Sequence, residues 1–238
     1  VCVGRGGEIL AGTAGYSVGE LFNKLYKKKD YSFVNNSPKL LLIEASNGAS
    51  DYGNKIGEPI IQGFTRSYRC DLNLYSNPNI TKRFEYLKPI MFSGGIGKIL
   101  QSNIYKNKSQ YNNMIGRVGG AAYRIGIGGG SASSRTQDKK NLKEDFDSVQ
   151  RGDPEMANKV VKFIRACCSL EENPILSIHD QGSGGMANVT REIAEGMGAS
   201  VFFDKVYSSD PTLTSLEIWV AEYQEQITLL VEKKDLKV

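Results

Sequence analysis

The stretch PILSIHDQGSGGMANVTREI, residues 174–193, is the part of the sequence that most strongly indicates a fold class. Its opening residues are mostly apolar, which predicts a buried strand over 174–179. Glycines cluster at 182–185 and indicate a turn, after which a helix is predicted from about 186 to 196. A strand that turns directly into a helix is the repeating unit of layered α/β structure.

The same alternation of elements extends on both sides of this stretch. Upstream, the pattern predicts glycine-rich strand segments from Gly116, a charged loop at 135–147 and a helix at 154–168. Downstream, it predicts strands near 199–203 and at 226–231. This part of the chain is therefore predicted to form an α/β domain.

Helical spacing is clearest at 154–168, where five apolar residues fall on one face. They are Met156, Val160, Phe163, Ile164 and Cys167. Packing is therefore the preferred interpretation of the adjacent Cys167 and Cys168, and redox or metal chemistry is the alternative.

The first hundred residues have a less regular pattern. It predicts strands at 10–21, 39–50 and 87–99, a helix at about 56–68, and polar connections at 23–38, 70–86 and 101–114. A change of character beyond the last connection places a domain boundary near residue 108. The predicted domains are therefore 1–108 and 109–238.

Composition limits the classes of protein to which the chain can belong. Its 238 residues are 40% hydrophobic and 24% charged, as in a soluble globular protein. None of the four cysteines forms a CxxC pair, so the sequence predicts neither a zinc site nor a disulfide framework, and a cytoplasmic setting is expected. No apolar run approaches the roughly 20 residues that cross a bilayer, so no membrane partner is expected.

The charge balance also argues against nucleic acid as a partner. Lys and Arg number 30 and Asp and Glu 26, which leaves a formal net charge of only +4. The single dense basic run, Lys27–Lys29, lies in a polar, loop-like stretch.

A glycine-rich motif, RIGIGGGSASS at 124–134, is the first candidate for ligand binding. Consecutive glycines, among them Gly128, Gly129 and Gly130, let backbone N–H groups converge on an anion such as phosphate. The alternative is a plain turn between strands. No Lys-Ser/Thr pair follows, so the motif is not a Walker A loop.

Asp180 is the second candidate, because it is predicted at the carboxyl end of a strand, facing the start of the next helix. A carboxylate in that position suits Mg²⁺ that bridges phosphate oxygens. A helix cap or a turn hydrogen bond is the alternative. His179 should point to the other face of the strand and is interpreted as a packed or hydrogen-bonded residue.

Two further polar segments can be interpreted either as ligand contacts or as ordinary surface structure. Asp153 and Pro154 are helix start signals, and Gln150 just before them could reach a ligand or simply be exposed. The stretch 222–225 lies between an apolar segment and a predicted buried strand. By itself it indicates a surface hairpin more than a ligand-facing edge.

Eight segments together form a longer pattern. They are VGRGGEI, AGTAGYSVGEL, EASNGASDYGNKIGEP, KPIMFSGGIG, GGAAYRIGIGGGSASS, DFDSVQRGDPEM, NPILSIHDQGSGG and DPTLTSLEIWVAEYQE. In wording and order they resemble the phosphoribosylformylglycinamidine synthases, in the large single-chain form of eukaryotes. The resemblance implies an aminoimidazole ribonucleotide synthetase-like fold, with 1–108 as the end of the barrel-forming N-terminal domain and 109–238 as the C-terminal α/β domain.

The resemblance also implies an activity. In that family ATP and Mg²⁺ activate the amide of formylglycinamide ribonucleotide, and ammonia from glutamine, supplied by a glutaminase domain, converts it to the amidine. The implied metal ligand is Asp180. The implied substrate contacts are Gln150, Glu222, Tyr223 and Gln224, and Gly4, Gly6 and Gly7 resemble the end of the nucleotide-binding loop.

Departures from the family pattern limit what this chain is expected to do alone. Ile9 runs directly into Leu10, where the family has a basic, glycine-rich loop. The family's upstream histidine motif and a glutaminase module are not in the sequence, so no catalytic residue is assigned and the remaining domains are expected as partners. The alternatives are a catalytically silent nucleotide-binding domain and a pure interaction module.

Overall fold

The computed structural model describes residues 1–22, 37–74, 77–135, 140–149 and 152–237. Its contacts divide the chain into two compact units: unit I, Ile9–Ile96, and unit II, which joins Val1–Glu8 to Gly97–Val238. The predicted boundary near residue 108 lies within unit II. There the connection is fastened to a later strand, since Asn107 N donates to Leu176 O at 2.8 Å. The division of the chain into family domains at residue 108 stays a prediction.

The described residues of unit I form one helix and five strands. They are β1 (Glu8–Val18), α1 (Pro38–Ile56), β2 (Ile60–Ser67), β3 (Arg69–Leu74), β4 (Asn77–Glu85) and β5 (Ile90–Lys98). Strand β1 lies between β2 and β5 in a three-stranded sheet, and it pairs in parallel with β2. Strands β3 and β4 form an antiparallel pair where the sequence predicts a polar connection at 70–86.

The prediction for residues 39–68 was wrong, because the strand and the helix are reversed. Helix α1 covers the predicted strand, and β2 occupies the predicted helix. Short apolar runs suit either element, and the flanking signals decide. Ser37 caps α1 by accepting from Leu40 N at 3.3 Å, Pro38 begins the helix, and Gly57 ends it at a φ of 82°.

Unit II is built around an antiparallel sheet. Its elements are β6 (Asn113–Gly119), α2 (Gly129–Ser134), α3 (Leu142–Asp147), α4 (Pro154–Cys168), β7 (Ile175–Asp180), α5 (Gly185–Ile193), α6 (Ser215–Val220) and β8 (Gln226–Glu232). Strand β8 lies in the middle, paired with β6 on one side and β7 on the other. The predictions of α4, β7 and β8 are confirmed.

Helix α4 covers one face of this sheet. The shared core consists of Val160, Ile164, Cys167, Ile175, Ile178 and Leu229. Asp153 caps the helix by accepting from Met156 N at 3.0 Å. Burial raises the pKa of the thiols of Cys167 and Cys168, which keeps them protonated and supports packing as their role.

Three segments of unit II differ from the prediction. No strand forms at 199–203, and the chain there passes into a short 3-10 helix at Phe203–Lys205. The charged loop contains α3, with acidic residues in its first turn. The apolar segment before residue 221 forms α6, which begins with a capping box between Thr214 and Glu217.

Two findings bear on the expected setting of the protein. All four cysteines are free thiols. Within the described ranges, none of the helices combines the length and the apolar character needed to span a bilayer.

Candidate functional site

Glu222 is the point at which three of the sequence motifs meet. Its side chain is 5% exposed. One carboxylate oxygen, Oε2, accepts a hydrogen bond from Gly130 N at 2.8 Å, and Oε1 accepts one from Gly184 N at 3.2 Å. Gly130 lies in the first turn of α2 and Gly184 immediately precedes α5. A single carboxylate therefore joins the glycine-rich motif, the strand-turn-helix motif and the segment after α6.

The turns around this carboxylate approach each other so closely that a Cβ has little room at two glycines. A Cβ at Gly130 would lie 2.8 Å from Ser183 Oγ. Gly185 has a φ of +57°, and a Cβ there would lie 2.3 Å from Ala221 O. Only glycine fits both the conformation and the space at Gly185.

A network on α6 positions the segment that carries Glu222. Arg124 Nη1 forms an ion pair with Glu217, and its Nη2 donates to Thr212 Oγ1 at 2.7 Å. Hydrogen bonds from Thr214 hold the pKa of Glu217 below its usual value of 4.5. The backbone N–H of Thr214 has the larger effect and its hydroxyl the smaller one. The guanidinium of Arg124 adds to this effect. The start of α6 is therefore fixed from two directions.

Tyr223 belongs to the packing beneath the site. Its side chain is fully buried, its hydroxyl donates to Glu217 O at 2.9 Å, and its ring meets Tyr123 edge-on at 5.4 Å. Burial raises the pKa of Tyr223 to about 12. The side chain braces the segment, and its predicted contact with substrate stays a prediction. The predicted substrate contact of Gln224, which is half-buried, also stays a prediction.

Asp180 lies at the carboxyl end of β7, as predicted, and its side chain is 74% exposed. His179 makes the expected hydrogen bond, with Nε2 2.8 Å from Glu192 Oε2 on α5. Among the described residues no group of three or more His, Cys, Asp or Glu side chains could enclose a metal ion. Asp180 thus offers one carboxylate, which fits Mg²⁺ because that ion often takes only one or two protein carboxylates and completes its shell with phosphates and water.

Gly4, Gly6 and Gly7 flank Arg5, whose side chain is held at the start of β7. The intervening Arg5 donates to Ile175 O at 2.6 Å and to Asn173 O at 2.7 Å, at the start of β7. The N–H groups of Gly6 and Gly7 are used locally, by the carbonyls of Val3 and Val1. A role in nucleotide binding stays a prediction.

Gln150 lies outside the described residues, so its predicted role also stays a prediction. The sequence interpretation missed two other residues. Arg124 opens the glycine-rich motif and could have been noticed as a charged residue beside it. Gln181 follows Asp180, is 8% exposed, and neither atom of its side-chain amide has a hydrogen-bond partner in the part of the chain that the structure describes.

The fold and the site define an α/β protein in which a buried carboxylate joins glycine turns at the end of a sheet. Comparison with protein families specifies this class. The family described as AIR synthase related protein, C-terminal domain, matches residues 114–238, and the chain belongs to that family.

Curated relatives confirm the resemblance seen in the sequence motifs. The chain is 48% identical over 244 residues to a phosphoribosylformylglycinamidine synthase of Dictyostelium discoideum, covering 98% of this chain and 18% of the relative. It is 46% identical over 238 residues to that of Homo sapiens, covering 97% and 17%. The chain therefore spans less than a fifth of the length of these relatives.

Solved structures confirm the predicted fold. Thermotoga maritima PurL complexed with FGAR superposes with a TM-score of 0.64 at 22% identity, over 97% of this chain and 32% of that one. HypE of E. coli, a hydrogenase maturation protein, gives a TM-score of 0.54 at 13% identity, over 100% and 62%. At these identities the likeness shows the fold alone.

Proposed function

We propose that the chain forms part of the core of a carbon–nitrogen ligase that converts formylglycinamide ribonucleotide to the amidine, with ATP consumed and glutamine as nitrogen donor. The curated relatives carry the name of that synthase. T. maritima PurL has been solved both with FGAR and with ATP. The structural observation that carries the proposal is the junction at Glu222 between two glycine turns.

In this reaction the amide oxygen of the substrate takes the γ-phosphoryl group of ATP. Ammonia then adds to the amide carbon, and phosphate leaves from that carbon. The charge of the transferred group favours sites with fixed backbone donors. Glu222 holds the turns at Gly130 and Gly184 in place. The resemblance of the segment implies that Glu222, Tyr223 and Gln224 contact the ribonucleotide.

Asp180 is the residue proposed to hold Mg²⁺, with substrate phosphates supplying further ligands. When bound, the ion would neutralise charge on the phosphoryl group. The open position of Asp180 at the end of β7 suits a ligand that must release its product.

The proposal requires partners for ammonia supply and for the rest of the ATP site. Other synthase domains and a glutaminase domain fill these roles in it, in keeping with the small share of each relative that the chain spans. A solved assembly named PurLQS from Thermotoga maritima has the same fold in one of its chains. A cytoplasmic location is part of the proposal and is supported by the four free thiols.

Replacement of Glu222 by Gln in the full-length protein tests the proposal. Gln keeps the shape but directs an NH₂ group at a backbone donor. A charged hydrogen bond contributes about 1.5–3 kcal/mol, so kcat/KM for the ribonucleotide should fall roughly 10- to 100-fold. Amidine formation is measured with glutamine and, separately, with ammonia.

Glu155→Gln is the matched control, because Glu155 is an exposed carboxylate on α4 that pairs only with a neighbouring lysine in the described chain. It should leave kcat/KM unchanged. Full turnover in a folded Glu222→Gln variant would refute the role assigned to Glu222. Absence of amidine formation by the folded wild-type protein, with glutamine and with ammonia, would refute the proposal and favour a silent nucleotide-binding domain.

A further inference from the structure

A cavity of about 270 Å³ lies within unit II, beside α5 and apart from the turn that Glu222 holds. Strand β6 and Thr228 of β8 form one wall. Met186 and Thr190 of α5 form the second wall, and residues 199–207 close the third. Cavities for drug-sized ligands are about 300–1,000 Å³, so this one suits a smaller molecule.

Arg117 is the unusual residue in its lining. It pairs in register with Thr228, so both side chains lie on the face of the sheet that α5 covers. Its Nη1 is buried without a hydrogen-bond partner among the described residues, and Nη2 makes only a long contact of 3.4 Å with Tyr207 O. Burial lowers the pKa of Arg117. Buried guanidinium groups are normally paired, because an uncompensated charge is costly to remove from water.

The charges around the cavity have one sign. Arg117 and Lys205 line it, and the described lining includes no carboxylate. Lys205 Nζ lies 3.1 Å from Asp204, which is outside the lining. The hydroxyls of Thr190 and Thr228 are buried nearby and can donate to an anion. The cavity also presents apolar side chains, among them Met186, which would contact the uncharged part of a ligand.

We propose that this cavity is a binding site for a small organic anion whose phosphate or carboxylate group pairs with Arg117. The site is separate from the proposed reaction centre, which lies at the N-terminal end of α5, whereas the cavity runs along the side of that helix. An anion would supply the partner that Arg117 Nη1 lacks. Its apolar part would fill the space between the sheet and α5.

The test measures binding of two probes to the full-length protein, inorganic phosphate and benzoate. Titration calorimetry is done at constant ionic strength in chloride, with saturating ADP and Mg²⁺ so that the proposed nucleotide site is occupied. Arg117→Met should weaken binding of the effective probe at least tenfold, since the variant removes a charged hydrogen bond. Arg191→Met removes the same charge from the exposed face of α5 and should leave the affinity unchanged.

A second variant covers the case in which Arg117→Met fails to fold. Thr190→Leu keeps every charge but fills the cavity, so it too should weaken binding at least tenfold. Binding of phosphate alone identifies a phosphoryl ligand, and binding of benzoate alone identifies a carboxylate with an apolar body. Binding of neither probe, or equal affinity in the wild type and Thr190→Leu, overturns the proposal.

Discussion

The sheets of the two units are covered to different degrees. In unit II, β7 and β8 are largely buried, between α4 on one face and α5 on the other. In unit I, every residue of β5 is exposed, and so is all of β2 after its first residue. Both clusters of buried apolar side chains found in the described chain belong to unit II.

The difference predicts that the buried apolar clusters of unit II contribute more to stability than the exposed strands of unit I. Unit II fills its own core, whereas unit I exposes large apolar side chains such as Ile61, Phe92 and Ile96. Exposed apolar strands are usually covered by a partner surface, and otherwise promote association. Helix α1 alone does not cover them in the described chain.

The largest expected effect tests this contrast in the cores. Ile178→Ala in β7 should lower the free energy of unfolding by about 2–5 kcal/mol, because the side chain is fully buried. Ile61→Ala in β2 should change it by less than about 0.5 kcal/mol, because the side chain is 66% exposed. Urea unfolding of this chain is followed by circular dichroism and by fluorescence of Trp219, its single tryptophan, which reports on unit II. Equal losses would show that the strands of unit I are buried in solution.

Glycine substitutions should sharpen the contrast by changing sign between the units. Gly185→Ala should destabilise unit II by about 1–3 kcal/mol, because the residue has positive φ and its Cβ would meet Ala221 O. Gly48→Ala in α1 should stabilise unit I by about 0.5–1 kcal/mol, because a Cβ there meets nothing within 4 Å.

Thermal unfolding of each variant measures these two effects. Gly182→Ala is the control for the turn, since it also has open space and lacks the positive φ. If Gly185→Ala lowers the stability no more than Gly182→Ala does, the turn relaxes away from Ala221.

The smallest effect concerns the helix caps and their response to acid. The pKa of Glu217 is lowered by its hydrogen bonds to Thr214, so its contribution to stability is present above pH 4.5 and is lost as pH falls through the lowered value. Thr214→Val should raise the pKa of Glu217 and weaken this acid dependence, which carboxyl NMR titration measures. The neutral cap of α1 provides the comparison: Ser37→Ala should cost about 0.5–2 kcal/mol at every pH. An unchanged Glu217 titration in Thr214→Val would contradict the assignment.

Local signals in the sequence predicted much of unit II. The apolar spacing and the Asp153-Pro154 start fixed α4, and the apolar runs indicated β7 and β8. The apolar run alone was misleading at residues 39–68, because Ser37 and Pro38 are start signals that make it a helix.

The candidate site was predicted only in pieces. Glu222 and Gly130 were each selected from a motif, but their hydrogen bond joins residues 92 positions apart, and no local pattern encodes that distance. The hydrogen bonds from Arg5 to Ile175 O and Asn173 O join residues 170 and 168 positions apart, which no local pattern encodes either. The cavity at Arg117 depends on three elements that meet only in the folded unit.

The hydrogen bond between Arg5 and Ile175 O has a consequence for synthesis of the protein. Its partners are 170 residues apart, and the whole of unit I is made between them. At about 5–20 residues per second, the ribosome needs roughly 10–30 s to deliver the second partner after the first. Unit I is therefore synthesised before the side chain of Arg5 can reach its partners on β7, although the backbone of Arg5 can already pair with Asn103 O.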